Sequence, residues 1–208
     1  MMVRNVDTSN NNSSLGRVLT FALVATIASS MVTGDALALQ LDSAGGAGGM
    51  LRPKYVPDWD DAPVQRELEL TFNPSLSETD NGDLLKDTIL ALAPGDLLRV
   101  GPGRWSVNSF FQVDLQGTAT APIRIVGEPG AILTRPNAGQ NTINFGSTSA
   151  AATTYVLLRG FEVTNGSYGI RLQNAEHFWI DQCLVHHVAA VGIGANSHNT
   201  EGLHITRT

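Results

Sequence analysis

Five histidines are the residues of this sequence that most directly suggest metal chemistry. They are His177, His186, His187, His198 and His204. A structural zinc site needs about four nitrogen or sulfur ligands around one ion. His186 and His187 are neighbours in a segment that we expect to be extended, and successive side chains of a strand point to opposite faces of its sheet. We therefore expect no metal ion here and interpret the histidines as solvent-facing or turn residues.

Arginine and aromatic residues that alternate with apolar positions suggest contacts with a carboxylated sugar polymer. A guanidinium group binds a carboxylate through two parallel hydrogen bonds, and an aromatic ring can stack on a sugar ring. The candidate substrate-binding residues are Arg159, Arg171, Trp179 and Arg207. Phe178 and Ile180 should face a core, so Trp179 between them should face outward, and Tyr168 and Trp105 are further stacking candidates. Ordinary solvated surface charge is the alternative interpretation of these arginines.

Lysine and cysteine, which could act as a catalytic base or nucleophile, are scarce. The only lysines are Lys54 and Lys86, and the only cysteine is Cys183. Cys183 lies in an apolar, strand-like run, where a thiol is typically a small core residue and not a nucleophile. A single cysteine also excludes an intramolecular disulfide. We assign no catalytic residue, no metal ligand and no cofactor to this chain.

Composition favours extended, turn-rich structure. The chain has 208 residues, of which 15% are charged and 21 are glycine, and its formal net charge is −6. This length suggests one domain with additional segments. The negative charge argues against a nucleic-acid partner, because such partners attract basic surfaces. A polyanionic substrate would need a local basic patch.

An internal repeat indicates which elements carry the candidate residues. The segment "YVLLRGFEVTN" aligns with "HFWIDQCLVHH" at an offset of 22 residues, which sets Leu158 over Ile180. A third copy begins at "GLHITRT" and sets Ile205 over Ile180 at an offset of 25. The pair Ile170 and Ile193 recurs in the same way. A period in the low twenties without a helix predicts stacked parallel strands, which is a parallel β-helix.

The segments before the repeat predict a helix followed by short strands. Apolar spacing predicts a helix over residues 83–92, which would cover the open first turn of the solenoid. Strands are expected near residues 110–115, 123–126 and 131–133. Residues 39–81 should form a flexible linker, "SAGGAGG", and an irregular lead-in that packs on the domain edge, with one strand near residues 68–72. The β-helix is assigned to residues 82–208.

Three stretches in this region resemble a known family. They read "LAPGDLLRVGPGRW", "LQGTATAPIRIVGEPGAIL" and "YVLLRGFEVTNGSYGIRL". They resemble the N-terminal part of right-handed parallel β-helix proteins of the pectate lyase-like superfamily. The order of the motifs is most similar to the group of polysaccharide lyases that includes alginate lyases and chondroitinase B. The resemblance extends over residues 82–208, and sugar epimerases and uncharacterised surface β-helices share these opening coils.

The resemblance implies β-elimination on uronic acid polymers. In that group a calcium ion neutralises the uronate carboxylate, a lysine removes the C5 proton and an arginine assists. These residues lie in later coils than the ones present here, so calcium is implied only for a full-length relative. We therefore expect the N-terminal part of a polysaccharide lyase without its catalytic coils. The alternatives are a non-catalytic carbohydrate-binding or surface β-helix, and a truncated product without activity.

The N-terminus has the pattern of a secretory signal peptide. Arg4 and Arg17 precede the apolar run "VLTFALVATIASSMV", and "ALA" follows it. This order predicts a signal peptide over residues 1–38 that is cleaved after Ala38. We expect a secreted protein, extracellular or periplasmic, with no stable membrane span after cleavage.

The third copy of the repeat stops at Thr208, opposite Cys183. A solenoid that stops within a repeat exposes strand edges and an apolar cross-section. We expect either a fragment of a longer protein or end-to-end self-association through this open end.

Overall fold

The computed structural model describes residues 55–196 and 199–208. The predicted signal peptide and the glycine-rich part of the linker lie outside these residues. No helix within the described part of the chain is long and apolar enough to cross a membrane.

Short strands make up most of the regular structure. In chain order they are β1 (Arg66–Leu70), β2 (Asp96–Val100), β3 (Gly103–Ser106), β4 (Gln112–Val113), β5 (Ile123–Gly127), β6 (Ala131–Arg135), β7 (Ile143–Phe145), β8 (Thr153–Arg159), β9 (Glu162–Asn165), β10 (Tyr168–Leu172), β11 (Ala175–Asp181), β12 (Leu184–His186), β13 (Val191–Gly194), β14 (Thr200–Glu201) and β15 (His204–Thr206). A 3-10 helix (Asp58–Asp61) precedes β1, and the α-helix α1 (Glu78–Leu90) lies between β1 and β2.

The strands enter three parallel sheets in turn. Sheet A has the order β1-β2-β5-β8-β11, and both β14 and β15 pair with β11. Sheet B has the order β12-β9-β6-β3, and sheet C has the order β13-β10-β7-β4. Every pairing between these strands is parallel. The prediction of an all-β protein with parallel pairing is confirmed.

The predicted register of the repeat is also confirmed. Leu158 pairs with Ile180, and Ile180 pairs with Ile205. Ile170 pairs with Ile193. Two earlier repeats extend the same sheet, because Leu98 pairs with Ile125 and Ile125 pairs with Leu158. Their spacings of 27 and 33 residues differ from the offsets of 22 and 25 in the later repeats, so the sequence alone does not show them as repeats. Inserted loop residues change the period without disturbing strand pairing.

The main apolar core of the described residues lies between the three sheets. Sheet A contributes Ile125, Leu158 and Ile180 to this core, and each is almost fully buried. Phe145 of sheet C contacts Phe178 of sheet A, with ring centroids 4.7 Å apart. Burying such side chains contributes roughly 1.5–3 kcal/mol each, which makes this core the main source of stability.

Helix α1 covers the first repeat but begins earlier than predicted. Ser77 caps the helix, because its hydroxyl accepts a hydrogen bond from the Asp80 amide and the Asp80 carboxylate accepts one from the Ser77 amide. This capping box extends the helix over a polar first turn that apolar spacing does not detect. Leu85 and Ile89 enter the core. A Cβ at Gly82 would lie 2.1 Å from the Ser106 carbonyl oxygen, so a glycine is required there.

The lead-in is more ordered than predicted: its strand lies at the edge of sheet A, as expected, but its 3-10 helix packs on the outer face of that sheet. The predicted strand forms as β1, and it extends sheet A by parallel pairing with β2. The parallel pairing therefore starts before residue 82. The 3-10 helix places Trp59 against Leu157 and Trp179 on the outer face of sheet A.

One corner position allows a test of the fold. Gly160 and Gln182 occupy the same corner in successive repeats, and their φ angles are 79° and 53°. A left-handed backbone costs a residue with a Cβ roughly 1–2 kcal/mol, partly offset for glycine by its chain entropy. We expect Gln182→Gly to be at least as stable as the wild type and Gln182→Val to be roughly 1–2 kcal/mol less stable than Gln182→Gly in urea unfolding. At the strand residue Glu201 the valine variant should be more stable than the glycine variant. The same order of stability at both positions would contradict the assignment of Gln182 to a left-handed corner.

Candidate functional site

Three of the four predicted binding residues meet on the outer face of sheet A. Arg159, Asp181 and Thr206 align in successive strands. Arg207 follows Thr206, and Trp179 lies one outward row away on β11. The fourth candidate, Arg171, lies on β10 in sheet C. The structure therefore separates Arg171 from the other three.

A buried carboxylate organises this group. Asp181 is fully buried and accepts hydrogen bonds from Arg159 Nε at 2.7 Å and from Arg207 Nε at 2.9 Å. The Thr206 hydroxyl donates a third, at 2.7 Å. Burial alone would raise the pKa of Asp181, but the hydrogen bonds from two arginines and a threonine outweigh burial and lower this pKa below its usual value. Asp181 therefore stays ionised and fixes both guanidinium groups.

The lead-in contributes a second carboxylate to the group. Asp60 Oδ1 lies 3.1 Å from Arg124 Nε, and Asp60 Oδ2 lies 3.8 Å from Arg159 Nη2. Arg124 also donates hydrogen bonds to the carbonyl oxygens of Asp60 and Ala62. Arg124 thus anchors the lead-in to the sheet, and Arg159 is shared between two carboxylates. Arg207 has 46% of its side chain exposed and is the guanidinium of the group most open to a ligand.

Trp179 faces outward from the sheet as predicted, but it is not a solvent-exposed stacking surface. Its exposure is only 1% because Trp59 of the lead-in covers it, with ring centroids 6.3 Å apart at 84°. The Arg159 guanidinium lies 4.8 Å from its ring centroid, and its Nε1 donates a hydrogen bond to the Thr206 hydroxyl at 2.7 Å. Trp105 faces the core and is fully buried, so its assignment as a stacking candidate is wrong.

Arg171 belongs to a separate aromatic pair on sheet C. Its guanidinium carbon lies 5.3 Å from the centroid of the Tyr168 ring. Both residues are half-buried on β10. A cation placed over an aromatic ring in this way is a stabilising contact in its own right. Arg171 and Tyr168 stay candidates for sugar contacts, on a different face from Arg207.

The predicted orientation of the histidine pair is wrong. The rings of His186 and His187 contact each other through their Nδ1 atoms, with centroids 4.7 Å apart. His187 has a φ angle of 53°, which turns its side chain away from the alternation of an ordinary strand. Within the described residues, no three or more histidine, cysteine, aspartate or glutamate side chains group in a way that could hold a metal ion.

Cys183 is a core residue, as the sequence predicts. Its thiol is buried, and burial raises its pKa to about 11. A thiol with such a pKa is protonated at neutral pH and is a poor nucleophile.

The described end of the repeat exposes apolar side chains. Ile205 on β15 pairs with the core residue Ile180 and is 48% exposed, whereas Leu184 on β12, 60% exposed, is in the outward row with Glu162. These two side chains lie on the outermost strands of sheets B and A. End-to-end association through this surface stays a prediction.

Comparison with known proteins identifies no relative of this chain. The chain matches no protein-family model, no curated protein and no solved structure.

Proposed function

We propose that this chain is a right-handed parallel β-helix of the pectate lyase-like kind, secreted, and acting on an acidic polysaccharide as the N-terminal part of a polysaccharide lyase. The three parallel sheets, entered in turn by successive strands, support the β-helix. The cap formed by α1 over the first repeat supports it as well. The motif resemblance is the basis for the lyase class.

The proposal that the substrate is acidic rests on the arginine pair held by Asp181. A chain with a net charge of −6 repels polyanions in general, so a polyanion needs a local positive site. Arg159 and Arg207 are both held by the one buried carboxylate of Asp181, which orients the guanidinium groups in advance. Groups oriented before binding lose less entropy when a ligand arrives. A uronate carboxylate is the group on a sugar that such a pair binds best.

Binding to defined polymers tests this proposal. We expect the chain to bind alginate, polygalacturonate or chondroitin more tightly than a neutral glucan in isothermal titration calorimetry. Arg207→Gln should weaken binding roughly tenfold or more, because a hydrogen bond to a charged group contributes about 1.5–3 kcal/mol. Arg99→Gln is the matched control, because Arg99 lies on the outward face of the same sheet and its side chain is 42% exposed.

Two results would contradict an acidic substrate bound at this site. One is equal affinity for the neutral glucan and for the acidic polymers. The other is equal weakening by Arg207→Gln and Arg99→Gln, which would indicate a general charge effect. Thermal unfolding of each variant shows whether it is folded at the temperature of the titration.

A non-catalytic carbohydrate-binding β-helix is the second candidate function. It is favoured by the absence of lysine from every described strand, since the resemblance implies a lysine base for β-elimination. Lys86 lies in α1 and donates a hydrogen bond to the Ser109 hydroxyl. We expect this chain to release no unsaturated uronate from the acidic polymers with calcium present, as measured by ultraviolet absorbance. Turnover by the purified chain would overturn this candidate function and the assignment of no catalytic residue to the chain.

A further inference from the structure

Two imidazole rings converge at the corner that follows β12. His186 and His187 bring their Nδ1 atoms into contact, and their ring planes are inclined at 80°. The backbone produces this convergence, because the left-handed conformation of His187 places both rings on one side. The preceding repeat has Asn165 at the same corner with a φ angle of 64°. The corner therefore accepts residues other than histidine without a change of backbone.

A carboxylate orients the first of the two rings. Glu162 lies on β9, next to β12 in sheet B, and its Oε1 is 3.1 Å from His186 Nε2. A carboxylate at this distance accepts the Nε2–H hydrogen bond. In the tautomer that carries its hydrogen on Nε2, the ring presents the lone pair of its Nδ1 atom towards His187. Histidines that bind metal ions usually have such a partner on their other nitrogen, which fixes the tautomer and increases the basicity of the ligand.

The two ring nitrogens can face each other in two ways. An Nδ1–H of one ring can donate a hydrogen bond to the other ring, or both Nδ1 lone pairs can bind one metal ion. The surroundings favour a cation, because Glu162 is the one charged residue of β9 and β12. Both rings have access to solvent, with His187 exposed and His186 half-buried, so an ion can enter and keep water ligands.

We propose that His186 and His187 bind a divalent transition metal ion through their two Nδ1 atoms, with Glu162 as the orienting partner of His186. Cu²⁺ is the preferred ion, because imidazole suits it and affinities for nitrogen sites rise towards copper in the divalent series. Water completes the coordination. Two nitrogens bound to one ion at about 2.0–2.1 Å lie roughly 3 Å apart, so the rings must separate slightly. Their exposure permits this movement.

Metal titration of the full chain tests the proposal. Cu²⁺, Ni²⁺ and Zn²⁺ are added separately in a non-coordinating buffer, and binding is followed by calorimetry. We expect one saturable Cu²⁺ per chain, and weaker binding of Ni²⁺ and Zn²⁺. The electron paramagnetic resonance spectrum of the Cu²⁺ complex should show coupling to imidazole nitrogen.

Substitutions separate this site from other copper-binding groups of the chain. His187→Asn places asparagine at a corner where the preceding repeat already has it, and it should weaken Cu²⁺ binding at least tenfold while thermal unfolding is unchanged. Glu162→Gln should weaken binding roughly 10–100-fold, as loss of an orienting partner does. His204→Asn is the control and should have no effect. His204 lies on β15 of sheet A, and the proposed site lies on sheet B.

Two outcomes would overturn the proposal. The first is the absence of saturable Cu²⁺ binding to the folded wild type, which would assign the contact to a hydrogen bond between the rings. The second is Cu²⁺ binding that His187→Asn leaves unchanged, which would place the ion elsewhere on the chain. Neither result depends on polysaccharide binding, so the two proposals succeed or fail separately.

Discussion

Asp181→Ala should lower the free energy of unfolding by roughly 2–4 kcal/mol, because it removes charge-assisted hydrogen bonds from a buried acceptor, while water partly compensates the half-exposed Arg207. Here the loss affects three donors, since Arg159, Arg207 and Thr206 all donate hydrogen bonds to this carboxylate. A typical domain has a total stability of about 5–15 kcal/mol, so the variant should be close to the limit of folding. Urea unfolding at neutral pH measures the difference. Asp87→Ala in the exposed face of α1 is the control, and a change within about 0.5 kcal/mol is expected there.

The stabilising effect of Asp181 should depend on pH with a defined sign. Its pKa is lowered in the folded protein, so the folded state binds fewer protons than the unfolded state. Its contribution is therefore complete above the unfolded pKa of about 3.9 and is lost as pH falls through the lower folded pKa. Asp181→Asn should differ most from the wild type near neutral pH, and the two unfolding free energies should approach each other in acid. A difference that is independent of pH would contradict the ion-pair assignment. The pKa of Asp96 is also lowered, by its hydrogen bonds with Arg66. The wild type and the variant therefore both retain this second acid-sensitive ion pair.

Trp179→Ala should also lower the free energy of unfolding by roughly 3–5 kcal/mol, as truncation of a buried tryptophan does. The ring contacts Trp59, Leu157 and the Arg159 guanidinium, so its removal leaves a cavity between the lead-in and sheet A. It also removes the hydrogen bond to Thr206, which itself donates to Asp181. Urea unfolding again provides the measurement. Tyr168→Ala is the control, because its half-buried ring lies on sheet C, and its cost should be clearly smaller.

This prediction changes how Trp179 relates to carbohydrate binding. An exposed stacking platform would lose affinity on truncation while keeping its stability. A buried ring should lose stability first, and sugar affinity should fall only in proportion to the fraction unfolded. Calorimetric titration with an acidic polymer at a low temperature, where Trp179→Ala is still folded, distinguishes the two cases. Retained stability together with lost affinity would restore the exposed-platform interpretation.

The stacking of the later repeats could be predicted from sequence because its causes are local and periodic. Apolar residues at offsets of 22 and 25 residues must bury against one another, and a register shift of one residue would move the apolar side chains of a strand to the solvent face. The pairs Leu158–Ile180 and Ile180–Ile205 follow from this requirement alone. The alignment of Arg159 with Asp181 on the outward row follows as well. The two earlier repeats have no such constant offset, because their loops differ in length.

Alternation along a strand determined which side of the sheet Trp179 faces, but only the tertiary structure decided what covers that side. The covering segment comes from residues far away in the sequence, and Arg124 with Asp60 holds it in place through contacts that have no period. The histidine pair shows the same limit at shorter range. Alternation predicts that His186 and His187 diverge, and a single left-handed corner reverses that result. Periodic burial thus determined the parallel strands and their register, whereas the surroundings of each outward side chain depended on non-repeating contacts and backbone turns that appear only when the chain is folded.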